Sequence, residues 1–87
     1  MTLMNIYSIR DIKADYFMQP FMARNDGEAT RSFAGAVNDS SNPNNMIARY
    51  PGDYELFSLG LFDEVTGHLD PKDHKSLGTG DQYVRTV

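Results

Sequence analysis

The stretch YELFSLGLFDEVTGHL, residues 54–69, most constrains what this chain can fold into. In an extended backbone Phe57, Leu59 and Leu61 point to one face, while Tyr54, Leu56 and Phe62 point to the other. A strand apolar on both faces belongs in the middle of a sheet, covered on both sides. Gly60 inside it marks a bend or close packing. Asp63-Glu64-Val65-Thr66-Gly67 then reads as a tight hairpin connection, with Gly67 supplying a positive φ and His68 and Leu69 opening the returning strand. Pro71 either stops that strand or confines it to a sheet edge.

The rest of the chain must cover this strand. Ala29, Phe33, Ala36 and Val37 recur at helical spacing and form one apolar stripe suited to packing on a sheet. Asn25-Asp26-Gly27-Glu28 has the spacing of a capping box, with Asn25 accepting a backbone N–H and Glu28 reaching back to the cap. Because the cap and its acids satisfy the free amides, PFMARNDGEATRSF starts a helix rather than holding an anion. The asparagine-rich run NDSSNPNN ends that helix, and Asn42-Pro43 fits the cap and first position of a second short helix ending before Pro51. Upstream, LMNIYSI reads as a strand with Met4 and Ile6 on one face and Tyr7 and Ile9 on the other. RDIKADYFMQPFMAR has neither period and reads as an extended, looping segment anchored by Tyr16, Phe17 and Phe21. A last strand from Gln82 to Thr86 is expected in the tail.

These elements make one small α+β domain over residues 1–87, with 71–87 as a tail: a mainly antiparallel sheet, one amphipathic helix packed on it and a second short helix. A chain of 87 residues buries only about 60–65% of its unfolded surface, so its core is thin. Exposed edges and a poorly covered face point to pairing with a second copy, as a dimer or higher homo-oligomer.

The function classes narrow by composition. The absence of cysteine removes thiolate catalysis and cysteine-based zinc sites. His68, Asp70, Asp73 and His74 match no metal-site spacing, and Pro71 interrupts them. The GTG at residues 78–80 lacks the remaining elements of a phosphate loop, and no serine sits in a nucleophile elbow. No catalysis, metal or cofactor is expected. The start has no basic region followed by an apolar run, and no stretch is long enough for a membrane helix, so a soluble intracellular protein without membrane contact is expected.

Charge limits the partners further. The net charge is −4, and all of the excess lies after residue 50, because Arg10, Lys13, Arg24, Arg31 and Arg49 balance the acids before it. Bulk neutralisation of DNA needs the opposite balance, so any nucleic-acid contact is a local patch on the N-terminal part. Arg10, Lys13, Arg24, Arg31 and Arg49, together with the aromatic Tyr16, carry the ingredients of a single-strand site, in which cations follow phosphates and rings stack on bases. The competing assignment puts Tyr7, Phe17 and Phe21 in the core and pairs the arginines with Asp11, Asp15 and Glu28.

IRD-KA at 9–14, PF-ARNDGEA-R-F at 20–33 and LG-FDE-TG at 59–67 resemble the small non-structural protein of gokushovirus-type microviruses, phages with circular single-stranded DNA. The resemblance covers most of residues 4–70. It implies an accessory phage protein in the host cytoplasm, described as DNA-binding, that acts in genome replication or the hand-over to packaging. The alternative is a protein-interaction module whose acidic C-terminal part docks on a viral or host replication or assembly protein without touching DNA.

Overall fold

The computed structural model describes residues 3–85. Nine extended residues, Leu3–Asp11, form β1, and Tyr16–Phe17 and Phe21–Ala23 form the short strands β2 and β3. Helix α1 spans Asp26–Val37 and α2 spans Met46–Arg49, followed by a 3-10 turn over Pro51–Asp53. Strands β4, Tyr54–Asp63, and β5, Leu69–Thr79, complete one five-stranded antiparallel sheet in the order β2-β1-β4-β5, with β3 also on β1. The fold is the expected α+β arrangement. Among the described residues no helix is long and apolar enough to cross a membrane.

The segment read as looping supplies the outer edge instead. Arg10 and Asp11 pair with Phe17 and Tyr16, and Asn5 to Tyr7 pair with Ala23 to Phe21, so β2 and β3 are two pieces of one edge interrupted around Pro20. Proline lacks the N–H a continuous strand would need there. The gap is closed by Ser8, which is buried and donates its hydroxyl to the Met18 carbonyl at 2.6 Å.

β4 is central, as its apolar pattern requires, but its faces differ from simple alternation. Ile6 pairs with Gly60 and Tyr7 with Ser58, so Leu59 is an extra, bulged residue. Tyr54 and Leu56 therefore lie on the α1 side with Tyr7 and Ile9. Leu61 follows them to that side, while Phe57 and Phe62 both reach the opposite face. The expected grouping of Phe57 with Leu61, and of Leu56 with Phe62, fails because one inserted residue reverses every side chain beyond it. Gly60 has a strict reason to lack a side chain, since a Cβ there would sit 2.5 Å from the Asp70 carbonyl oxygen and 3.0 Å from the Pro71 Cα. That close approach lets β5 continue through Pro71 as an edge strand.

Helix α1 begins as the capping pattern requires: Asn25 accepts from the Glu28 N–H at 2.9 Å. Glu28 reaches one residue further than the standard box, accepting from the Arg24 N–H at 3.2 Å. The stripe then buries Ala29, Phe33 and Val37 against Tyr7 and Leu56. The second helix starts later than expected. Asn45, not Asn42, is its cap, because the Asn45 side chain also donates to the Ala36 and Asp39 carbonyls, each at 2.9 Å, and so fastens α2 to the end of α1. Asn42 instead closes a local turn onto the Asn44 N–H at 2.9 Å.

The hairpin connection matches the reading, with Asp63 accepting from the Val65 N–H and Gly67 at φ 79°. The expected last strand does not form over Gln82–Arg85. Gly80–Tyr83 is a 3-10 turn, and Thr86 lies outside the described residues. Asn38 holds this segment by donating to the Tyr83 carbonyl at 2.9 Å and accepting from the Arg85 N–H at 2.8 Å, while Tyr83 meets Phe33 edge-on.

The result is a slab. The molecule measures 41 × 27 × 20 Å and exposes 5780 Å², where a compact monomer of its mass exposes about 5,200 Å². One sheet face lies under α1, and among the described residues no element covers the other. Gly60→Ala should lower stability by about 1–3 kcal/mol through overpacking, measured by urea unfolding, because the obstacle is backbone of β5 and not a movable side chain.

Candidate nucleic-acid interface

The uncovered face is built from cross-strand rows, since directly paired residues share a face. Two rows near the hairpin are free of charge: Met22, Ile6, Gly60 and Pro71, then Met4, Phe62 and Leu69. Towards the other end, Ser8, Phe57 and Ser76 form a row, followed by Phe17, Arg10, Glu55 and Thr79. The face is thus aliphatic at one end and aromatic and charged at the other.

At the aromatic end Phe17, Phe57 and His74 meet. The Phe17 and Phe57 centroids lie 5.6 Å apart, and His74 is 5.5 Å from Phe17 and 6.3 Å from Phe57, all three pairs tilted or edge-on. Phe17 remains 39% exposed. The Arg10 guanidinium stands 5.9 Å from the Phe17 centroid, in cation–π range, and is ion-paired with Asp15. Glu55, across from Arg10, accepts the Ser76 hydroxyl at 2.5 Å.

The remaining sequence-derived site residues fall into two groups. Lys13 lies in the turn after β1, and Tyr16, 55% exposed, starts β2 beside it. Arg49 ends α2 with its guanidinium 5.5 Å from the ring of Tyr50, which is 51% exposed. The two segments are joined, because the Ile12 N–H donates to the Asp53 carbonyl at 2.8 Å and the Asp53 N–H to the Tyr50 carbonyl at 2.9 Å. Arg10, Lys13, Tyr16 and Arg49 therefore share one end of the sheet.

Arg24 and Arg31 do not join them. Both are exposed, Arg24 just before α1 and Arg31 on the helix itself, away from the buried stripe. Arg31 stands on α1, across the sheet from Arg10, and Arg24 lies in the bend joining β3 to α1. Of the competing pairings, only Arg10 with Asp15 forms an ion pair among the described residues, and of the aromatic trio only Tyr7 is fully buried.

Sequence reasoning did not single out Phe57 and His74 for the site. Phe57 reads as core in any strand pattern, and His74 sits in a charged run with no metal spacing. The signal was the pairing of Phe57 with Ser76 two residues on, which local sequence does not carry.

Tyr7 and Asp26 anchor the opposite face. The buried Tyr7 hydroxyl donates to one Asp26 oxygen at 2.7 Å, and the Lys75 ammonium of β5 donates to the other at 2.8 Å. The bonds from Lys75 and Tyr7 hold the Asp26 carboxyl below its usual range, and burial with the facing carboxylate drives the Tyr7 hydroxyl well above its own. The N-terminus of α1 is thereby occupied from within the chain.

A groove at the hairpin end, lined by Leu3, Leu61, Asp63, His68, Leu69 and Asp70, offers little chemistry, because Asp63 caps the turn and Asp70 pairs with Lys72 at 3.0 Å. Among the described residues no three histidine or acidic side chains are gathered for a metal.

The profile of the family described as phage ORF5 protein matches residues 4–83, nearly the whole chain. This chain belongs to that family. No curated protein and no solved structure matches it. Family membership extends to both long hairpin strands and the Gly80–Tyr83 turn, where the motif resemblance had faded. It makes this a phage protein.

Because Asp26 has a depressed pKa in the fold, its contribution is present above the ordinary aspartate pKa of about 3.9 and is lost as pH falls through the lower folded value. Tyr7→Phe should cost about 1.5–3 kcal/mol at pH 7, the worth of a hydrogen bond to a charged group. In urea unfolding across pH 2–7, the gap between the two proteins should narrow below about pH 4.

Proposed function

We propose that this protein is a non-enzymatic accessory factor of gokushovirus-type microviruses, working in the host cytoplasm, that binds single-stranded DNA in genome replication or its hand-over to packaging. The observation that carries the reading is the sheet end that gathers two exposed tyrosines, Tyr16 and Tyr50, with Arg49 against the Tyr50 ring and Lys13 in the turn before Tyr16, on segments bonded to each other. Rings that stack on bases next to cations that meet phosphates are what a single strand requires. The local patch accommodates the net charge of −4, whose acids lie mainly in the C-terminal part. The proposed contact set keeps Arg10, Lys13, Tyr16 and Arg49, and leaves out Arg24 and Arg31.

Replacing Lys13 and Arg49 together by alanine should weaken binding to a labelled single-stranded oligonucleotide and reduce the slope of log affinity against log salt by about 1.4, two phosphate contacts' worth. Replacing Arg24 and Arg31 together should leave both unchanged. The reverse pattern would move the site to the helix side.

A second reading concerns self-association, and the uncharged end of the open face favours it. Leu69 is 66% exposed and Met22 47% exposed there, and contiguous apolar surface of this kind marks a protein contact. A homodimer through these rows would leave the aromatic end free. Leu69→Lys should lower the mass found by sedimentation equilibrium to that of a monomer while the circular dichroism spectrum is retained; an unchanged mass would place any contact elsewhere.

A further inference from the structure

The three-ring cluster on the open face ties β2, β4 and β5 together and, among the described residues, has no helix or strand over it. We infer that Phe17, Phe57 and His74, with Arg10 beside them, form a stacking platform for an unpaired nucleobase, so that a strand meeting Lys13 at the sheet end lays its bases on the open face. The inference rests on the single-strand reading above and names where its bases sit.

Three features select this occupant. The rings come from β2, β4 and β5 and lie 5.5–6.3 Å apart, forming a platform that crosses the sheet from edge to edge and has no element over it. The exposure of Phe17 and His74 leaves ring surface open to a planar group, which gains most by stacking on an aromatic face. The charges fit as well: Arg10 presents a guanidinium with further N–H donors after meeting Asp15, and Lys13 follows at the margin. Of the acids near this site, Asp15 is ion-paired with Arg10, and Glu55 accepts the Ser76 hydroxyl while keeping its charge. An aliphatic protein surface would be matched better by the uncharged rows at the other end, where no guanidinium intervenes. Rings with a cation beside them match a base with its phosphate. Antiparallel sheets that display aromatic side chains on an open face take up single strands in this manner.

The chain contains no tryptophan, so Phe17→Trp places a single indole reporter in the platform. The experiment compares binding of an oligothymidylate, an abasic oligonucleotide of equal length, and duplex DNA to the wild type, to Phe17→Trp, and to the double variant Phe17→Leu with His74→Ala. Both replaced side chains are exposed, so folding of the double variant should be kept, and its circular dichroism and urea midpoint check this. Loss of one stacked base corresponds to roughly tenfold in affinity. The expected result is oligothymidylate binding about tenfold or more above the abasic strand in the wild type, reduced to the abasic level in the double variant, with abasic binding unchanged. The indole of Phe17→Trp should be quenched by oligothymidylate and not by the abasic strand.

No binding of any strand by the wild type would overturn the single-strand reading itself. Full oligothymidylate preference in the folded double variant would overturn the platform alone and leave the cation contacts standing. Equal binding of abasic and thymidylate strands would mean phosphate contact only, which also overturns it. Concentration-dependent indole shifts without DNA would assign this end of the face to a second copy and overturn the base as occupant.

Discussion

One twelve-residue helix has to serve a sheet whose long strands run nine to eleven residues. At 1.5 Å per residue the helix is about 18 Å long, while such strands extend roughly 30–36 Å. It covers part of one face and nothing of the other. The small buried core under α1, the slab shape and the excess of exposed surface all descend from that mismatch. So does the chemistry: on a face with no lid, Phe17, Phe57, His74 and Arg10 remain available to something outside the chain.

What the helix does cover is fixed by a polar tie within an apolar layer. Tyr7 on β1 and Lys75 on β5 both reach Asp26, the first residue of α1. A single carboxylate thus joins the strands on both sides of β4 to the helix start. It also complements the positive end of the helix dipole. Position at the N-terminus and bonding to two strands together orient α1 along the sheet, and the same carboxylate makes that N-terminus unsuitable for a phosphate.

Local features of the sequence revealed the elements whose information is local. The Asn25 cap, the Ala29, Phe33 and Val37 stripe, the Asp63 to Gly67 turn and the central β4 strand each depend on residues within a few positions of one another. The α2 cap was misplaced because Asn45 prevails over Asn42 through bonds to the end of α1, which belong to tertiary structure. The faces of Leu61 and Phe62 were reversed by the bulge at Leu59, a property of the β1 and β4 pairing and not of β4 alone. For the site, Arg10, Lys13, Tyr16 and Arg49 were visible as residue types, and their convergence was not. Arg24 and Arg31 looked equivalent to them until the structure placed one beside and one on α1, away from the end where Ile12 meets Asp53. Phe57 and His74 stayed hidden because a ring in a strand and an imidazole in a charged loop acquire meaning only from pairing across the sheet.

The chain belongs to the phage ORF5 protein family, and its sheet is covered by α1 on one face and displays aromatic rings on the other. The central claim is that the two sheet faces have different tasks, one holding the fold and one meeting a single strand. Backbone and side-chain NMR shifts of the isotopically labelled protein, followed through a titration with oligothymidylate, test it most directly. The account predicts shifts concentrated at Arg10, Lys13, Phe17, Phe57 and His74, with α1 from Ala29 to Val37 unmoved. Shifts centred on Arg24, Arg31 and the outer surface of α1, or none at any residue, would contradict it.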